Sequence, residues 1–188
     1  MRRAPALAAL LLSLPLILAG CGYHLTGDPK PPAGVHRVMV PTFLNKTYEP
    51  GLELPFTERL RNEFLRGSAV ELVSDKKDAD AVVTGEVLTF RTVPTVLVQA
   101  PNFPSNVDRQ RLLPTRYRAI AEVKISLVSI TTGEVLWSDT LEGTEEYDAG
   151  QAPEGFEALA RQTQQSTAVA SLAQDLMREA YDRMMTDF

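Results

Sequence analysis

The chain has 188 residues, with 19 basic against 24 acidic side chains and a formal charge of −5. That length suffices for one sizeable hydrophobic core. The acidic balance excludes a general nucleic-acid binder, which shows a basic domain, and the single cysteine, Cys21, excludes an internal disulfide.

The chain opens on Arg2 and Arg3, followed by an uncharged, mostly apolar run from Ala4 to Ala19 that contains Pro5 and Pro15. This run is shorter than the ~20 residues of a membrane-spanning helix and suits the apolar middle of a signal peptide. It closes on Leu18-Ala19-Gly20-Cys21, which resembles the lipobox of bacterial lipoproteins at every position. Residues 1–20 are therefore expected to be removed, and Cys21 to carry S-diacylglycerol and N-acyl chains. The competing reading is an ordinary secretory signal whose removal leaves a free thiol. Each buried methylene contributes ~0.8 kcal/mol and one chain holds only reversibly, so two or three chains on one cysteine make a lasting anchor. Gly22 stands where an aspartate would favour the inner membrane, which points to the outer membrane. Loss of Arg2 and Arg3 deepens the charge to −7, 17 basic against 24 acidic.

Residues 21–34 read as a lipidated tether, because Gly-Asp-Pro-Lys-Pro-Pro-Ala-Gly from Gly27 to Gly34 favours extended backbone. Residues 35–188 read as one domain. Val35 to Val40 is a β-branched run closed by Pro41, and Thr42 to Leu52 is rich in turn formers. Phe56, Leu60 and Phe64 recur every fourth residue and predict a helix, with Leu65 beside that face, Pro55 in its first turn and Gly67 at its end. Val70 to Val73 is a further strand, so strand, helix and strand imply a parallel crossover. Ala81 to Val93 is extended.

Tyr117 to Ile130 alternates most clearly. Tyr117, Ala119, Ala121, Val123, Ile125 and Leu127 share one face; Arg118, Glu122, Lys124 and Ser126 share the other. Thr131-Thr132-Gly133 is a hairpin connection, and Glu134 to Tyr147 returns as the antiparallel partner. A last helix, starting near Pro153, carries Val169, Leu172, Ala173, Leu176, Met177, Ala180 and Met184 as an apolar stripe. The polar run from Gln162 to Thr167 predicts a kink or a solvent-facing turn. These elements amount to an α+β two-layer sandwich. A mixed sheet of four to five strands carries two helices packed on one face, and its other face is partly polar.

No nucleophile elbow, phosphate-cradling glycine loop or zinc spacing is present, so neither enzymatic activity nor a metal or cofactor is expected. His24 and His36 are too far apart in their predicted settings to pair as ligands. Glu142, Glu145, Glu146 and Asp148 lack the glycine turn of a calcium loop and read as a charged strand edge. The unusual segment is Pro94 to Pro114, expected to be a long loop that exposes Val96, Leu97, Val98 and Phe103. Connections of that length without regular structure are commonly functional. Arg109 and Arg111 lie in it, and Arg91, Arg116 and Arg118 flank it. Guanidinium groups beside apolar side chains suit an amphiphile with phosphates and acyl chains. The alternative is that these arginines pair with neighbouring acids on a solvated edge.

Gly22-Tyr23-His24-Leu25 and the stretch Val40-Pro41-Thr42-Phe43-Leu44-Asn45-Lys46-Thr47-Tyr48-Glu49-Pro50-Gly51-Leu52-Glu53 both resemble the LPS-assembly lipoprotein family LptE. The Thr132 to Trp137 hairpin and the long final helix fit the same pattern. The resemblance covers nearly the whole mature chain. It implies a non-enzymatic component of the outer-membrane lipopolysaccharide translocon, a plug and assembly partner of an LptD-type β-barrel. Arg91, Arg116, Arg118 and Lys124 are assigned to lipopolysaccharide from charge and strand placement. Val96, Val98, Phe103, Arg109 and Arg111 are assigned to a partner-contact loop. The alternative is an accessory lipoprotein of an ABC-type lipid-transport system.

Overall fold

The computed structural model describes residues 31–32, 34–99, 112–149 and 157–186. The strands are β1 (Arg37–Met39), β2 (Leu44–Asn45), β3 (Glu71–Leu72), β4 (Ala81–Gln99), β5 (Leu112–Ser129) and β6 (Val135–Asp148); the helices are α1 (Glu53–Arg66) and α2 (Glu157–Thr186). One open mixed sheet runs in the order β3-β1-β4-β5-β6. β1 pairs in parallel with both β3 and β4, whereas β4-β5 and β5-β6 are antiparallel. The α+β sandwich is the expected one, with a sixth short strand added. That strand, β2, lies in the stretch read as a plain loop and pairs in parallel with β4 through Leu44↔Glu86 and Asn45↔Val87.

The core follows from the alternation in β5. Ala119, Ala121, Val123, Ile125 and Leu127 are all buried on the inner face, where Val83 and Val87 of β4 and Leu141 of β6 join them. Both helices cover that face. α1 buries Phe56, Leu60 and Phe64, but Leu65 is 67% exposed, because the next residue along a helix turns ~100° away from the stripe. In α2 the buried residues come in adjacent pairs every four positions: Ala168/Val169, Leu172/Ala173, Leu176/Met177, Ala180/Tyr181 and Met184/Met185. Such a doubled stripe serves two neighbours. Its Tyr181 meets Phe64 of α1 edge-on at 5.2 Å, while Leu172 and Leu176 sit over Gly143 of β6.

Side chains also tie the layers together. The buried Thr57 hydroxyl of α1 donates to the Glu53 carbonyl at 2.6 Å and accepts the Phe43 N–H at 2.9 Å, fixing the chain between β1 and β2 to the helix. Asp80, just before β4, accepts from the His36 and Arg37 amides at 3.0 and 2.9 Å and from the Arg37 guanidinium at 3.2 Å. α2 is unbroken across Gln162 to Thr167, and the polar run marks a mostly solvent-exposed helical face. Pro153, the expected helix start, lies outside the described residues.

Candidate functional site

The segment Pro94 to Pro114 is not one long loop. β4 continues to Gln99 and β5 begins at Leu112, and their register runs on through Leu97↔Pro114, Val98↔Leu113 and Gln99↔Leu112. The signal was present in Val93, Thr95, Val96 and Val98, all strand formers, but Pro94 outweighed them. Proline is tolerated here because β1 and β2 pair with β4 only as far as Val87, which leaves one edge without a strand partner from Leu88 onward among the described residues. Register shifts on either side of Val96 twist that edge further.

This two-stranded arm leaves the core behind. Every side chain from Val93 to Val98 is exposed, whichever face of the ribbon it lies on. Leu97 is 51% exposed and Val98 41%. An isolated hairpin is marginal in water, and consecutive exposed apolar residues mark a contact surface.

The cations assigned from the sequence share the outer, helix-free face. Cross-strand rows there read Val96-Arg116-Asp148, Val93-Arg118-Glu146, Arg91-Ile120-Thr144, Thr89-Glu122-Glu142 and Glu86-Lys124-Thr140. Arg91, Arg116 and Arg118 therefore gather at the base of the arm among Val93, Val96 and Ile120. Lys124 is set apart, six residues or ~20 Å along β5 from Arg118. Arg116 pairs with Asp148 at 3.1 Å and Arg118 with Glu146 at 2.7 Å, both half-exposed contacts. These two arginines thus sit on acids supplied by β6, as the second sequence reading holds. Arg91 and Lys124 make no ion pair among the described residues. Glu86, opposite Lys124, instead binds Lys46 at 2.8 Å. Sequence inspection missed the partners Glu146 and Asp148 because cross-strand register is a property of the hairpin geometry. Cys21, Phe103, Arg109 and Arg111 lie outside the described residues. Among the described residues no group of three or more His, Cys, Asp or Glu is placed to hold a metal ion.

The family model for LptE, lipopolysaccharide-assembly, matches residues 35–188, most of the chain. The chain belongs to the LptE family. LptE-family membership carries a role in lipopolysaccharide assembly, a cell-envelope process. No curated protein matches the chain in sequence. Among solved structures, the hypothetical protein CT253 from Chlamydia trachomatis is 13% identical with a TM-score of 0.50, covering 80% of this chain and 96% of that one. Lipoprotein B from Nitrosomonas europaea is 12% identical with a TM-score of 0.49, covering 88% and 92%. Lipoprotein GNA1162 from Neisseria meningitidis is 11% identical with a TM-score of 0.42, covering 70% and 96%. At such identities the CT253 likeness is one of fold.

Proposed function

We propose that this LptE-family chain is an outer-membrane lipoprotein of the lipopolysaccharide translocon, and that it plugs an LptD-type β-barrel and assists its assembly. It acts by binding, without catalysis and without a cofactor. Acyl chains on Cys21 hold it at the membrane, and the domain occupies the periplasmic side or the barrel lumen. The observation that carries this reading is the β4-β5 arm. Its β4 side chains from Val93 to Val98 are exposed on both faces, and its base bears Arg91, Arg116 and Arg118. An arm of this kind suits insertion beside a protein wall, with the cations meeting phosphates of lipopolysaccharide in passage.

The test is recovery of the intact lipoprotein from membranes, with its partner identified by mass. A large outer-membrane β-barrel is the expected partner. Residence at the inner membrane with an ABC transporter would move the function to the alternative reading. A depletion strain that keeps normal surface lipopolysaccharide and a correctly assembled barrel would overturn the plug.

A further inference from the structure

Two stretches singled out in the sequence converge away from the arginine face. One is the loop from Asn45 to Glu53; the other is the polar run of α2. Between them, over the β4 side chain Phe90, lies a groove of about 390 Å³, a size typical of small-ligand sites, which span ~300–1,000 Å³.

The loop wall is rigidly built. The Asn45 side chain accepts the Thr47 amide at 2.9 Å and donates to the Glu49 carbonyl at 2.8 Å and to the Glu53 carboxylate at 2.9 Å. Asn45 thereby holds the Glu49 backbone, while the Glu49 carboxylate enters no ion pair among the described residues. The helix wall is lined by Gln162, Gln165 and Ser166; the Ser166 hydroxyl donates to the Thr163 carbonyl at 2.8 Å and keeps its lone pairs for a ligand. The floor is the half-buried Phe90 ring. Further along the same sheet face Tyr147 stacks on Tyr117 at 5.6 Å and hydrogen-bonds Thr92.

The chemistry of this lining selects its ligand. Its lining residues supply a carboxylate, two carboxamides and a hydroxyl and include no lysine or arginine, so the Glu49 charge disfavours an anion there. A purely apolar chain would strip water from the amides without replacing their hydrogen bonds. A pyranose ring meets both demands. Its neighbouring hydroxyls offer paired donors and acceptors to carboxamides and carboxylate, and its carbon-bound hydrogens rest on an aromatic surface.

We propose that this groove binds a neutral pyranose unit of an envelope glycan, with Glu49, Gln162, Gln165 and Ser166 reading its hydroxyls and Phe90 supporting the ring. The site is separate from the arginine face. The glycan can come from the lipid-free core of lipopolysaccharide or from the peptidoglycan backbone, which share this chemistry.

The experiment uses the purified mature lipoprotein in detergent, with saturation-transfer NMR and calorimetry. The probes are lipid-free core oligosaccharide, a peptidoglycan disaccharide and N,N′-diacetylchitobiose. Binding of at least one probe is expected, and which of the first two binds identifies the source. Gln162→Ala with Gln165→Ala should weaken that binding roughly tenfold or more and leave the thermal midpoint in place, since neither side chain belongs to the core. Absence of transfer from every probe, or transfer that survives both glutamine substitutions, overturns the proposal. So does displacement of the sugar by an extended peptide bound with higher affinity.

Discussion

One residue on the inner face of the domain owes its identity to a neighbour's bulk. Gly85 of β4 faces the Phe43 ring, which occupies the space a β-carbon would need. Phe43 is itself pinned by Thr57, so it has little freedom to withdraw. Gly85→Ala should therefore destabilise the domain by about 1–3 kcal/mol, as overpacking does. Chemical denaturation of the variant, repeated with Phe43→Leu, measures this; the second change should restore part of the loss if the clash is the cause. Tyr181 is the opposite case. Its ring packs against Phe64, but its hydroxyl is buried without a partner among the described residues. Burial holds that phenol in its neutral form, pushing its pKa above the ordinary range. Tyr181→Phe keeps the edge-on contact and removes an unsatisfied group. Stability should stay level or rise by up to ~1 kcal/mol, read from the same denaturation curves.

At the scale of elements, one carboxylate reinforces the backbone pairing between β1 and β4. The His36 amide lowers the Asp80 pKa most, followed by the Arg37 amide and then the Arg37 guanidinium. A depressed carboxyl stabilises the fold at any pH above its unfolded value, and that contribution is lost as pH falls through the folded value. The window is therefore acidic, below about pH 4. Asp80→Asn retains the shape but not the charge. The urea midpoint of the native protein should fall between about pH 5 and about pH 3 by more than that of the Asn variant. Equal falls would assign the acid sensitivity elsewhere. The β4-β5 arm is the other lesson at this scale. Its strand formers were visible, but a proline and a long connection concealed that two strands could run on past their own core. Extension was possible only because β5 offers a continuous antiparallel partner.

Across the whole molecule, the outer sheet face is zoned along the strands. Arginine and valine lie at the arm, with a mixed acidic and hydroxyl waist beyond it. The exposed pairs Arg116-Asp148 and Arg118-Glu146 each contribute about 0–1 kcal/mol to folding. Arg116→Glu with Arg118→Glu should thus weaken lipopolysaccharide binding far more than it lowers the thermal midpoint. Wild-type binding should also decline with salt, because exposed charges are screened within ~8–10 Å. Because both arginines already hold acids, Glu146→Gln with Asp148→Asn should strengthen binding. Affinity measurements on the three proteins check this, and unchanged binding across the set would remove the arginines from the site.

The amino-acid sequence alone determined the period of each long element, and with it the class of fold. The alternation of β5 and the four-residue recurrence of α1 are local patterns, set by which side chains can share a buried face. The expected lipobox and tether, and the family stretch from Val40 to Glu53, are likewise read locally, since each depends on residues adjacent in the chain. Tertiary structure decided everything that depends on register between distant segments. It placed Glu146 and Asp148 on the arginines, laid Phe43 against Gly85 and brought Glu49 opposite Gln162 and Gln165 across the groove. None of these pairs is adjacent in the chain, and a one-residue slip in any strand would send its side chain to the other face.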